Sequence, residues 1–82
     1  MKRIESVGIF RDSERMNLSV NGNPRHKVWI EIDGDEEFFK TATDAQCGYS
    51  VENYHNGDKI NFSYHITSNG SKIIDYIHES RG

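Results

Sequence analysis

Eighty-two residues suffice for one domain, near the lower limit at which a chain carries its own core without disulfides or metal. The single cysteine, Cys47, excludes an internal disulfide and fits a reducing, intracellular setting, and no apolar run is long enough to cross a bilayer. A net charge of −3 argues against a strongly basic nucleic-acid binder, yet it divides into +3 over residues 1–27, −7 over 28–58 and +1 over 59–82, which leaves room for one locally positive edge.

The opening "MKRIESVGIF" has two basic residues but lacks the apolar run of a secretory signal, so a soluble, cytoplasmic protein with no membrane association is expected. Residues 4–10 read as an additional strand or as the start of a long first one. Met16, Leu18 and Val20 alternate, as do Val28, Ile30 and Ile32, and then Ile60, Phe62, Tyr64 and Ile66. A period of two places each set on one face of a strand. Between these runs lie Asn21-Gly22-Asn23-Pro24, Asp33-Gly34, Asn56-Gly57 and Asn69-Gly70, whose residues tolerate the positive φ angles of tight turns. The segment "TDAQCGYSVENY" breaks the alternation. Thr43 followed by Gln46 forms a capping-box pattern, and Cys47, Val51 and Tyr54 follow at helical spacing. Gly48 disfavours a long helix by about 1 kcal/mol relative to alanine, so one or two turns are expected. No repeat, low-complexity tract or linker divides the chain, which reads as one domain over 1–82.

Three strands, a short helix and two more strands make up the order of the OB-fold, a five-stranded Greek-key barrel with its helix between strands three and four. "FFKTATDAQCGYSVENYHNGDKINFSYHI" resembles the stretch of single-stranded-DNA-binding OB domains that leads from strand three through a helix into a "G-D-K-[IV]" start of strand four. "NGSKIIDYI" resembles the final strand of that group, and the likeness covers roughly residues 15–77. The expected fold is therefore mainly β, a small OB-like barrel. The resemblance implies a ligand face on strands two and three.

With a two-residue turn at Asp33-Gly34, Ile32 faces Asp35, Ile30 faces Glu37 and Val28 faces Phe39. The opposite face pairs Glu31 with Glu36, Trp29 with Phe38, and Lys27 with Lys40. Parity assigns Val28, Ile30, Ile32 and Phe39 to the core and displays Trp29 and Phe38 outside, between two lysines. Aromatic rings stack the bases of a single strand, worth about 1–3 kcal/mol per base, while flanking cations meet phosphates. Arg25 and His26 would extend the positive edge, whereas Glu31 and Glu36 on the same face oppose it. The alternative packs Trp29 and Phe38 under the N-terminal segment with Ile9 and Phe10, or into a subunit contact.

In the last hairpin a two-residue turn at Asn69-Gly70 pairs Ile66 with Ile73, Tyr64 with Asp75 and Phe62 with Ile77, with His65–Ile74 and Ser63–Tyr76 on the other face. Tyr76 is a secondary stacking candidate or a half-buried rim tyrosine. Asp75 on the inner face is awkward; it either bonds the Tyr64 hydroxyl or a bulge moves the register. His26, His55, His65 and His78 show no ligand spacing with one another or with Cys47, and isolated histidines of this kind are usually solvent-facing, so no metal and no cofactor are expected. No catalytic set or phosphate-cradling loop stands out, and the expectation is a non-enzymatic protein.

The leading reading is a protein that binds single-stranded DNA or RNA with little sequence preference through Arg25, Lys27, Trp29, Phe38, Lys40 and Tyr76. The alternative is a protein-interaction module, of the kind found among phage-type or regulatory inhibitors, using the same aromatic face on a protein partner. Mimicry of DNA by the acidic middle segment is a third reading, against which −3 is a small charge. A homodimer through a strand edge or the aromatic face stays open.

Overall fold

In a computed structural model, residues 2–16, 25–42 and 50–78 are described. Their strands are β1 (Ile4–Arg15), β2 (His26–Ile32), β3 (Asp35–Thr41), β4 (Lys59–Ile66) and β5 (Lys72–His78). They close into a barrel in the order β1-β2-β3-β5-β4, with β4 returning to β1. Every pairing is antiparallel except β3 with β5, a short parallel seam of Lys40–Ile73 and Thr41–Ile74. The Ala42 amide extends it by donating to the Ile74 carbonyl over 3.0 Å.

The N-terminal stretch is the beginning of a single long strand. Residues 4–9 of β1 pair with β4 and residues 9–15 with β2, so this strand turns the corner that closes the barrel. Gly8 sits at that corner, where a Cβ would lie 2.6 Å from both the Glu31 carbonyl oxygen and Cγ2 of Ile30. Only glycine allows so close an approach. A bulge between Phe10 and Asp12 makes Arg11 the extra residue and adds to the bend. Beyond β1, the Met16 amide donates to the Arg25 carbonyl over 2.8 Å. Leu18, Val20 and the turn at 21–24 lie outside the described residues.

Gly57-Asp58-Lys59-Ile60 has a local physical explanation. Gly57 takes φ +101°, and its amide donates to the Phe10 carbonyl over 2.8 Å. The Phe10 amide in turn donates to the Asp58 carbonyl over 2.7 Å, and the Asp58 carboxylate accepts from the His55 amide over 2.8 Å. The motif thus ties the start of β4 to β1, and Ile60 enters the core fully buried. Among the described residues, helical geometry is confined to 50 and 51, closed by Asn53 and Tyr54 amides donating to the Ser50 and Val51 carbonyls. Val51 is fully buried, and Tyr54 packs on Phe10 with ring centroids 5.9 Å apart. Thr43, Gln46, Cys47 and Gly48, with which the expected helix of one or two turns begins, lie outside the described residues. Among those described, no helix is long and apolar enough to cross a membrane.

The barrel interior holds Phe10, Val28, Ile30, Phe39, Ile60, Phe62, Ile74 and Ile77, with Tyr64 packed against them. Phe39 is its centre: its ring meets Phe62 at 5.0 Å and Tyr64 at 5.1 Å, both nearly edge to face. One end of the core is covered by the Lys72 ammonium, 5.3 Å above the Phe39 ring and paired with Glu37.

The β2–β3 hairpin follows the two-residue turn in every pair, from Ile32–Asp35 to Lys27–Lys40. Asp33 and Gly34 take φ 53° and 87°, the double positive that a type I′ turn requires. The β4–β5 hairpin departs from expectation. Its tip is a three-residue loop over 68–70 with Gly70 at φ 88°, so Ile66 pairs with Lys72, His65 with Ile73 and Tyr64 with Ile74. A bulge at Asp75 then restores the expected pairs Ser63–Tyr76 and Phe62–Ile77. The shift corrects three assignments: Ile74 is fully buried, Ile73 faces His65, and Asp75 leaves the interior. Its physical reason is charge. A regular ladder would push the Asp75 carboxylate into the barrel, where burial of an unpaired anion is prohibitive. The bulge places it instead 2.6 Å from Nδ1 of His65 and 3.9 Å from Nε of Arg3.

Candidate functional site

The outer face of β1–β2–β3 is built in three rows, set by strand parity and the two registers. Asp12, Trp29 and Phe38 form the middle row. Glu14, Lys27 and Lys40 form the row on one side, and Ile9, Glu31 and Glu36 the row on the other. Adjacent rows stand two residues apart along β2 and β3, about 7 Å at 3.3 Å per residue, and the bulge at Arg11 adds one residue between Ile9 and Asp12 on β1.

Trp29 and Phe38 point out of the barrel together, ring centroids 5.4 Å apart and planes tilted by 45°. Phe38 is 42% exposed and Trp29 half-buried, whereas Phe39, the next residue along β3, is wholly inside. The two rings therefore form a ledge, Trp29 as its supported floor and Phe38 as its open rim. Lys27 and Lys40 stand beside it and enter no ion pair among the described residues; Glu14 at the end of their row tempers the positive potential. On the acidic side, Arg11 uses the bulge in β1 to reach Glu31, donating from Nε over 3.1 Å and Nη2 over 2.7 Å to one carboxylate oxygen. It also donates to the Asn56 side chain over 3.1 Å. One of the two glutamates that opposed an anionic ligand is thereby neutralised. Glu36 is exposed.

Among the described residues, two concavities border the ledge. A groove of about 210 Å³ runs from Phe38 and Lys40 to residues 69–72 of the β4–β5 hairpin. A larger open groove of about 610 Å³ lies past the acidic row, between the β1 bulge and the loop before β4, with Arg11, Asp12, Glu36, Tyr54, His55 and Asn56 on its walls. Neither was visible in the sequence, because each depends on loops meeting strands distant in the chain.

The remaining candidates lie apart from these. Arg25 is half-buried and donates from Nε to the Thr41 carbonyl over 3.2 Å, so its guanidinium secures the end of β3 as well as flanking Lys27. His26 does not extend the positive edge: it shares the inward parity of Val28 and Ile30 and is 3% exposed. Its Nε2 is 3.2 Å from the Glu52 carboxylate, and its buried Nδ1 has no hydrogen-bond partner among the described residues. Burial holds its pKa below the ordinary 6.5, with the nearby Arg15 acting in the same sense and Glu52 against it. Tyr76 is outside, 57% exposed, but belongs to another neighbourhood, 4.8 Å from the His78 ring. In the parallel register Lys40 pairs with Ile73, so Tyr76 stands three residues farther along β5, past the end of the seam. Among the described residues no group of three or more His, Cys, Asp or Glu is arranged to hold a metal ion.

No family model, curated protein or solved structure matches the chain.

Proposed function

We propose that this is an OB-like barrel that binds single-stranded DNA or RNA on the outer face of β2 and β3. The observation that carries the reading is the outward pair Trp29–Phe38, 5.4 Å apart and flanked on one side by Lys27 and Lys40. An exposed aromatic ledge beside cations that enter no ion pair among the described residues offers stacking to a base and charge to its phosphate, and every base has a face to stack. The closed order β1-β2-β3-β5-β4 is compatible with the OB type of barrel, whose second and third strands carry ligands. Arg11 supports the reading by relieving the repulsion of Glu31, and the groove from Lys40 to the β4–β5 hairpin gives the strand a path across the barrel. Arg25 contributes at the margin of this path. Tyr76 is not part of it.

The test is a titration of labelled oligonucleotide at two salt concentrations. Trp29, the one tryptophan of the chain, reports directly on stacking. Quenching of its fluorescence, with affinity that falls as salt rises, is the expected result. For about two phosphate contacts on a single strand, log K against log salt should slope near −1.4. Absence of binding at low salt would end this reading and favour a protein partner for the same face.

A further inference from the structure

We infer that Glu36 selects the base that the ledge accepts, favouring bases with an exocyclic amino group and disfavouring thymine and uracil. The inference rests on the single-strand reading of the Trp29–Phe38 face and gives that face a direction. A base joins its sugar and phosphate on one side of the ring and presents its Watson–Crick edge on the opposite side. If the phosphate meets Lys27 and Lys40, the base stacked on the middle row turns that edge toward the row of Glu31 and Glu36 and the 610 Å³ groove behind it. The two glutamates are not equivalent there. Glu31 is held by Arg11, while Glu36, two residues from Phe38, is exposed and has no hydrogen-bond or ion-pair partner among the described residues.

An ionised carboxylate only accepts hydrogen bonds. Cytosine offers its N4 amino group and adenine its N6 amino group at the outer end of that edge, whereas thymine presents a carbonyl oxygen there and holds its single donor, N3–H, between two carbonyls that repel a carboxylate. A carboxylate facing that carbonyl is repelled; one facing the amine gains a charge-assisted bond. Cytosine against thymine is the decisive comparison, since both are single-ring pyrimidines and differ mainly at that edge.

The experiment titrates the intact protein with fluorescently labelled oligo-dC, oligo-dA and oligo-dT of equal length at low salt, then repeats the series with Glu36→Gln. Oligo-dC is expected to bind about tenfold more tightly than oligo-dT, the scale of one good base-edge contact. Glu36→Gln should bring the two together, because an amide both accepts and donates; an unchanged circular-dichroism spectrum confirms that the barrel is intact. Equal binding of oligo-dC and oligo-dT by the unaltered protein overturns the selection and leaves the stacking ledge standing. A preference that survives in Glu36→Gln overturns the assignment to this residue. Failure of every oligonucleotide to bind sinks the ledge itself, and the selection with it.

Discussion

The two antiparallel hairpins, β2–β3 and β4–β5, are both short and equally rich in aromatic residues, yet they present different surfaces. On β4–β5 the histidines and Asp75 are paired. His65 meets Asp75, and Nε2 of His78 is 3.0 Å from Oγ of Ser63 and 3.1 Å from Glu5. On β2–β3 two aromatic rings and two lysines face outward, and among the described residues neither lysine enters an ion pair. A surface whose polar groups are already paired offers a ligand little that water does not. One whose rings and cations are left open can exchange water for a ligand at net gain. That contrast, more than the barrel itself, locates the candidate site.

The neighbouring phenylalanines of β3 have opposite surroundings. Phe39→Ala removes the ring at the centre of the core, which meets Phe62, Tyr64 and the Lys72 ammonium. A loss of about 3–5 kcal/mol is expected, most of the stability of a domain this small. Phe38→Ala, one residue away on the exposed face, should shift the urea midpoint only slightly and weaken oligonucleotide binding instead. If both substitutions unfold the chain alike, the outward ledge is part of the core and the functional reading fails.

Trp29→Ala comes next in size. Loss of one stacked base should weaken single-strand binding by about 1–3 kcal/mol, read by fluorescence anisotropy of a labelled oligonucleotide. Circular dichroism should stay unchanged. Tyr76→Ala, on the other hairpin face, should leave affinity where it was. An equal loss from the two substitutions would show that the ligand crosses the β5 face as well.

These expectations show where the sequence could be read and where it could not. On β2–β3 a two-residue and a four-residue turn at Asp33-Gly34 give the same parity, so parity alone turned Trp29, Phe38, Lys27 and Lys40 outward and Val28, Ile30 and Phe39 inward. On β4–β5 the same kind of dipeptide, Asn69-Gly70, occupies the end of a three-residue loop, and one extra residue flipped every assignment as far as the bulge at Asp75. The awkward aspartate was the sequence signal of that bulge. His26 carried its own signal too, since it alternates with Val28 and Ile30 and so had to point inward. What no local pattern could reveal is Arg11 reaching Glu31 twenty residues away, because that contact exists only through the β1 bulge and barrel closure.

Smaller effects sharpen the contrast. Lys27→Ala and Lys40→Ala should each lower the salt dependence of single-strand binding by about 0.7 in slope, with affinity for all oligonucleotides falling together. Lys72, paired with Glu37 over Phe39, is the matched comparison from the other hairpin. Its replacement by Met should change stability while leaving the salt slope alone. A drop in slope on losing Lys72, which lines the groove toward the β4–β5 hairpin, would show that its pair with Glu37 opens to meet a phosphate there.

The most modest expectation concerns His26 at the foot of β2. The imidazole is buried and its pKa lies below 6.5, so the folded barrel keeps it neutral at pH values where the unfolded chain has taken a proton. In that window the unfolded state binds more protons, and stability therefore rises with pH. The contribution is fully present above about pH 6.5 and is lost as pH falls through the lowered folded value. Glu52, 3.2 Å from Nε2, moderates the loss by stabilising the imidazolium, and Arg15, 3.7 Å from Glu52, works against it. Urea midpoints measured between about pH 7 and pH 5 should fall on acidification and fall less in His26→Gln, which titrates nothing at that position. Parallel curves for the two proteins would mean that His26 gains solvent or a full partner in solution. The inner wall of β2 would then be as wet as its outer one, and the division between a sealed interior and a working exterior would have to be redrawn.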